Sequence, residues 1–347
     1  MTKRKQNSKL PRPLAPPPQM ASRKKARKVT TLFHTLTRQL DQAKIEKDDK
    51  TVSSLQKQIK EMGGREEYQR ASQLSTKFHS TSKWVLGELG QIGWLHGGLM
   101  NSTTYSKSIT KGGKCDNNKT PCVRPVNVLE VGAINSELVD ASKKTRRLVM
   151  MKKGEDLSNN CSSDERNDNQ KDLIYKLHVR AIDLQSSNPQ IEEQDFLSLP
   201  PPSLEGNFDV IVCSMVLNCV TTARNRGKML SLLFRQLHPG GLCFLTIPKL
   251  CLDLSPYMTR NIFESILVNA LGFIIEKKKD SPKVAFWVLK RPLLDHEVSC
   301  DTATSKRTLN NLSKYKEQWT KPIIVKKGKK YRNDFSVDLD KSYIIGS

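Results

Sequence analysis

The chain of 347 residues carries 58 Lys and Arg against 35 Asp and Glu, a formal net charge of +23, and is 37% hydrophobic. That length holds one large domain or two small ones with part of the chain outside any core, and the charge disfavours an enzyme for small neutral metabolites and points to a polyanion, solubility being the plainer use of surplus lysine. Eight scattered cysteines without a CxxC pair offer no zinc spacing and fit free thiols in a reducing compartment, and no apolar run is long enough to cross a bilayer, so neither secretion nor a membrane is expected.

Residues 1–28 hold Lys3, Arg4, Lys5 and a second cluster from Arg23 to Lys28 with no acid among them, and "PRPLAPPPQ" forbids regular helix between the two. A disordered basic arm is expected, suited to a nuclear or nucleolar address or to RNA. From 29 to 122 a helical region follows. Leu32, Phe33, Leu36, Leu40, Ile45, Leu55, Ile59 and Met62 recur at helical spacing up to Gly63, and "REEYQRASQLSTKFHSTSKWVLGEL" reads as a second amphipathic helix. Between 123 and 291 the pattern alternates. "VNVLEVG", "LHVRAIDL", "FDVIVCSMVL" and "LCFLTIP" read as buried strands, "TTARNRGKMLSLLFRQL" and "RNIFESILVNALGF" as helices, and "FIIEKKK" and "KVAFWVLKR" as a closing hairpin. Strands alternating with helices predict a mainly parallel α/β sheet with one terminal antiparallel strand. A polar insertion is expected at 152–172, and 292–347 reads as a basic extension docked by Ile323, Ile324 and Val325.

In such a sheet a ligand sits beyond the carboxyl ends of the strands. Gly132 ends the first strand and allows close approach of a ligand to the backbone. Asp183 ends the second, where a carboxylate accepts both hydroxyls of a ribose; a turn or cap acid is the plainer reading. Asp195 and Phe196 fall where an acid and a ring hold an adenine, and Ser214 ends the third strand and floors the pocket. A single close-approach glycine suits a ligand with no pyrophosphate.

These strand ends, in order, resemble those of the class I S-adenosylmethionine-dependent methyltransferases, with a Rossmann-like sheet. More narrowly, "LEVGAINSEL", "RAIDLQSSNPQIEEQDFL" and "KPIIVKKGKKYRNDFSVDL" resemble the fungal nucleolar methyltransferases that modify N1 of an adenine in large-subunit (25S) ribosomal RNA, from about Tyr68 onward. The resemblance implies S-adenosylmethionine held at Gly132 and Asp183 with Asp195, Phe196 and Ser214 beside them, rRNA or a pre-ribosomal particle as partner, no metal, and a nucleolar address. Animal relatives look like noncatalytic cofactor sensors, and a pre-ribosomal RNA-binding factor on the same fold is the third reading. "CSMVLN" stands where exocyclic-amine methyltransferases carry "NPPY", which disfavours that chemistry. Cys213 reads as core rather than nucleophile. Phe196, Tyr257, Trp287 and Tyr331 are aromatic candidates beside the target base, with Trp287 read as sheet packing, and Asn218 either reads an adenine edge or caps a helix.

Overall fold

A computed structural model describes residues 22–76, 81–92, 122–143, 173–186, 188–200, 202, 206–293 and 319–343. Most of the basic arm, 1–21, and the whole polar insertion, 152–172, lie outside the described residues.

Helix α1 (Arg23–Glu46) starts inside the stretch expected as an arm, because the Ser22 hydroxyl accepts from the Lys25 N–H and caps it. It ends at Lys47, which is left-handed at φ 57, and Asp48 caps α2 (Asp49–Glu61) through the Thr51 N–H. The first periodic run is therefore two helices rather than one. Leu36, Leu40 and Ala43 of α1 face Val52, Leu55 and Ile59 of α2 along one seam. The second run also divides, into α3 (Gly64–Thr76) and α4 (Thr81–Gln91).

Strands β1 (Cys122–Val131), β2 (Leu173–Asp183), β3 (Glu192–Glu193), β4 (Phe208–Ser214), β5 (Leu237–Pro248), β6 (Ile274–Asp280) and β7 (Val284–Lys290) form one sheet in the order β3-β2-β1-β4-β5-β7-β6. β1 pairs in parallel with β2 and β4, β2 with β3 and β4 with β5, while β7 runs antiparallel to both β5 and β6. β4 and residues 242–247 of β5 are apolar at nearly every position because both faces are covered. On one face Val85 and Leu89 of α4 and Leu138 of α5 (137–143) pack on Val126, Val128, Val210, Val212 and Phe244. On the other, α6 (Ala223–Gln236) and α8 (Arg260–Ser265), which continues as a π-helical turn to Ala270, pack on Leu129, Val131, Ile211, Leu245 and Trp287. A one-turn helix, α7 (Leu250–Asp253), follows β5.

The same core takes in Trp319, Phe335, Val337 and Leu339 from the segment expected as an extension. Ile323, Ile324 and Val325, expected to dock it, are exposed instead. Docking rests on the flanking residues and on backbone bonds, the N–H groups of Val325 and Lys326 both donating to the Pro256 carbonyl. Buried Arg226 of α6 donates to the carbonyls of Val220, Thr221 and Ser336 at 2.8–3.0 Å and lies over the Phe335 ring. Gly227 beside it is required, since a Cβ there would lie 2.0 Å from the Asp338 carbonyl oxygen.

Candidate active site

The strand ends of β1, β2 and β4 are neighbours in the sheet, so the topology brings Gly132, Asp183 and Ser214 to one crevice. Gly132 turns the chain at φ +69, and a Cβ would lie 2.4 Å from Val216 Cγ2 on the turn after β4. The glycine thus admits a protein side chain as well as a left-handed turn. Asp183 Oδ1 accepts from the Gln185 N–H at 3.1 Å and from Arg65 Nη2 of α3 at 2.8 Å. Ser214 Oγ shares hydrogen bonds with Thr246 Oγ1 at 3.0 Å and Thr81 Oγ1, the first residue of α4, at 2.8 Å.

Asp195 and Phe196 follow β3. Both Asp195 oxygens are engaged, one by the Leu197 N–H and one by the Ser198 hydroxyl, which caps the short 3-10 turn Phe196–Ser198. The Phe196 ring is 3% exposed and belongs to the main core, supporting that turn from below. Past Ser214, Met215 holds a left-handed φ of 60, a costly conformation for a side-chain-bearing residue, and leaves its side chain partly exposed at the crevice. The 3-10 turn Leu217–Cys219 then presents Asn218 and Cys219.

Helices α1 and α3 roof this crevice. Besides Arg65, Gln69 of α3 donates to the Gln185 carbonyl and Gln73 to the Ile134 carbonyl. Phe33 and His34 of α1 meet the Tyr68 ring of α3, stacked at 4.6 Å and edge-on at 5.1 Å. Cys219 Sγ lies 3.7 Å from His34 Nε2, and the Tyr68 hydroxyl bonds to Ser72 and Cys219. Burial, aided by Arg38 and Arg65, lowers the His34 pKa to about 4, and burial pushes the Cys219 thiol up to about 11 and the Tyr68 phenol above its usual range. All three are neutral near pH 7.

Among the described residues three buried polar atoms have no hydrogen-bond partner, all around the crevice: Glu130 Oε2, Asn218 Oδ1 and Arg65 Nε. Glu130 stands two residues before Gly132, and burial with the nearby Glu137 charge raises its pKa to about 8. A buried carboxylate with an unpartnered oxygen fits a ligand that brings a cationic or hydrogen-bond-donating group. With Asp183 at the neighbouring strand end, the acids suit an ammonium and a ribose, both of which S-adenosylmethionine carries. Among the described residues no group of His, Cys, Asp and Glu side chains could hold a metal ion, and no helix is long and apolar enough to cross a membrane. Cys213 is buried in β4 with its pKa raised by desolvation to about 12, and Trp287 is wholly buried in the sheet.

Gly132, Asp183 and Ser214 were legible from the strand ends. Glu130 lies within the same "VLEVG" run, but its burial is a tertiary fact, and Arg65, His34, Tyr68 and Thr81 come from helices whose periodicity gives no hint of what they cover.

The parallel sheet with its single reversed strand β7, and the crevice at its carboxyl ends, define a class I, Rossmann-like methyltransferase fold. The N-methyltransferase NodS from Bradyrhizobium japonicum, solved with S-adenosyl-L-homocysteine, aligns over 48% of this chain and 78% of its own at 14% identity and a TM-score of 0.26. The chain belongs to the family described as Bmt2, 25S rRNA (adenine(2142)-N(1))-methyltransferase, which it matches over residues 53–157 and 164–337. It is 34% identical over 110 residues to the 25S rRNA (adenine(2142)-N(1))-methyltransferase of Saccharomyces cerevisiae, covering 31% of this chain and 32% of that one. It is 36% identical over 132 residues to the 25S rRNA adenine-N(1) methyltransferase of Schizosaccharomyces pombe, covering 35% of this chain and 45% of that one. The aligned segments thus span less than half the length of either relative.

Proposed function

We propose that this protein is an S-adenosylmethionine-dependent methyltransferase acting on N1 of an adenine in large-subunit ribosomal RNA, in the nucleolus. The observation that carries the reading is the family match, which runs through every strand end that lines the crevice. The crevice chemistry agrees with it. N1 of a neutral adenine offers a lone pair, and its methylation leaves a cation with no proton to remove, so no general base is needed. His34, Cys219 and Tyr68, held neutral by burial, form a wall that excludes water without offering a base or a thiolate.

When bound, S-adenosylmethionine supplies an electrophilic methyl group. Glu130 would hold its ammonium end, Asp183 its ribose hydroxyls, and Gly132 the close backbone approach between them. Asp195, Phe196 and Ser214 shape the turn and floor around its adenine. Asn218, whose carbonyl oxygen has no hydrogen-bond partner among the described residues, is the residue we assign to accept from the exocyclic amine of the target base. An adenine whose N1 is paired must first leave its duplex.

The test is mass spectrometry of rRNA nucleosides from cells lacking the protein. Loss of an N1-methyladenosine is expected, and an unchanged nucleoside profile overturns the enzyme reading. A second reading, a cofactor sensor, draws on the Arg65–Asp183 pair, which ties the ribose acid to a helix outside the sheet. Turnover on RNA by the purified protein separates the two.

A further inference from the structure

Two groups of cations on the folded domain differ in their partners. On and beside the edge strand β6, Lys277 pairs with Glu88 at 2.6 Å, Lys278 with Glu264 at 3.2 Å, and Arg260 and Lys249 with Asp280 at 2.7 and 3.4 Å. That row of lysines is neutralised in place. In the segment 326–332, by contrast, Lys327, Lys329 and Lys330 are exposed and pair with no carboxylate among the described residues, and Arg332 spends one N–H on the Lys329 carbonyl.

Two cations of this segment frame an aromatic ring. The ammonium groups of Lys326 and Lys330 lie 5.2 and 5.0 Å from the Tyr331 ring centroid. Lys326 is anchored by the carbonyls of Leu252 and Asp253 at 2.6 and 3.1 Å, whereas Lys330 has no second anchor among the described residues. The loop is fixed at both ends, by the Lys326 N–H on the Pro256 carbonyl and the Asn333 N–H on the Leu254 carbonyl, and the Tyr331 N–H closes a turn on Gly328. A merely solvated basic face has no need of a fixed loop presenting a ring among lysines.

The loop also has an address. Asp334 pairs with Arg38 of α1, and His34, one helical turn or about 6 Å along the same face, reaches Cys219 beside Asn218. The basic loop therefore borders the mouth of the crevice.

We propose that residues 326–332 hold single-stranded RNA next to the target adenine, Tyr331 stacking on a flanking base while Lys327, Lys329, Lys330 and Arg332 contact phosphates. Spaced cations suit a phosphate backbone and a ring suits any base plane, the pairing that binds single strands without reading sequence. The assignment rests on the RNA methyltransferase reading above.

The test uses the full chain and a short single-stranded RNA with one 2-aminopurine, titrated across a salt series, beside a cofactor titration and wild-type turnover on rRNA. K327Q/K329Q/K330Q should flatten the slope of log affinity against log salt by about two. Tyr331→Ala should lose the 2-aminopurine quenching and weaken binding roughly five- to hundredfold, and Tyr331→Phe should retain both. K277Q/K278Q should match wild type, and cofactor affinity should hold in every variant. If wild type binds and methylates RNA while the loop variants behave like it, the loop assignment fails and the enzyme reading stands. Salt dependence that falls without any effect of Tyr331 overturns the stacking platform. If wild type binds no RNA, both readings fall.

Discussion

Glu130 is a carboxyl group placed where water cannot reach one of its oxygens, and desolvation, with the Glu137 charge behind it, raises its pKa from an ordinary 4.5 to about 8. Without ligand it keeps a proton that the unfolded chain surrenders above about pH 4.5, so this group makes the folded state less stable as pH rises from there toward 8. A ligand that sets a cation against it favours the ionised form and expels the proton. Cofactor affinity should therefore rise with pH between about 6 and 7.5, by up to about tenfold per unit, with proton release on binding. Calorimetry in two buffers of different ionisation heat measures that release; none would mean that the carboxylate does not meet the cofactor's cation. Glu130→Gln should bind weakly and without the pH slope. The sequence shows an acid before a glycine at the end of an apolar strand, but the pKa comes from burial and from Glu137, which only the fold brings to it.

Helices α1, α3 and α4 turn an open crevice into a covered one, and the contact with the clearest consequence is Arg65 with Asp183, whose side chains are 26% and 12% exposed. A pair this sheltered should couple by about 1–2 kcal/mol in a double-mutant cycle of Arg65→Ala and Asp183→Ala, above a surface pair. In the proposed site, ribose hydroxyls compete for the same carboxylate. The coupling, read from unfolding midpoints, should shrink when the protein is saturated with S-adenosylhomocysteine, and Asp183→Ala should cost roughly ten- to hundredfold in cofactor affinity, a loss on the order of 1.5–3 kcal/mol. Coupling that stays constant on saturation would place the ribose elsewhere. Apolar periodicity gave these helices, though as two rather than four, because the left-handed Lys47 that breaks the first run is neither Gly nor Asn. What they cover was not legible, since a Gln or Arg on a polar helix face reads as solvated until its partner's place in the fold is known.

At the scale of the whole molecule, the mainly parallel sheet and its reversed closing strand were readable from alternation and turn residues, whereas the part played by 319–339 was not. Its cations and exposed Ile323, Ile324 and Val325 look like a peripheral arm, yet Trp319, Phe335, Val337 and Leu339 are 1–2% exposed in the main core, and Arg226 holds the Ser336 carbonyl. Four large side chains at about 2–5 kcal/mol each rival the entire net stability of a domain, about 5–15 kcal/mol. A chain truncated after residue 318 should accordingly show no cooperative thermal transition by calorimetry; a sharp transition near that of the full chain would refute this account of the core. The lateness of these residues bears on how the protein is made. Every strand of the sheet has been translated by Lys290, but the helix-covered face stays open until residue 339 has left the exit tunnel, several seconds later at about 5–20 residues per second. In that interval a basic nascent chain hangs beside ribosomal RNA without a finished core, and its crevice, sealed through Arg38 and Asp334 from regions 296 residues apart, cannot close. Closure of the crevice is thus timed by the arrival of residues 319–339 rather than by the appearance of the strands.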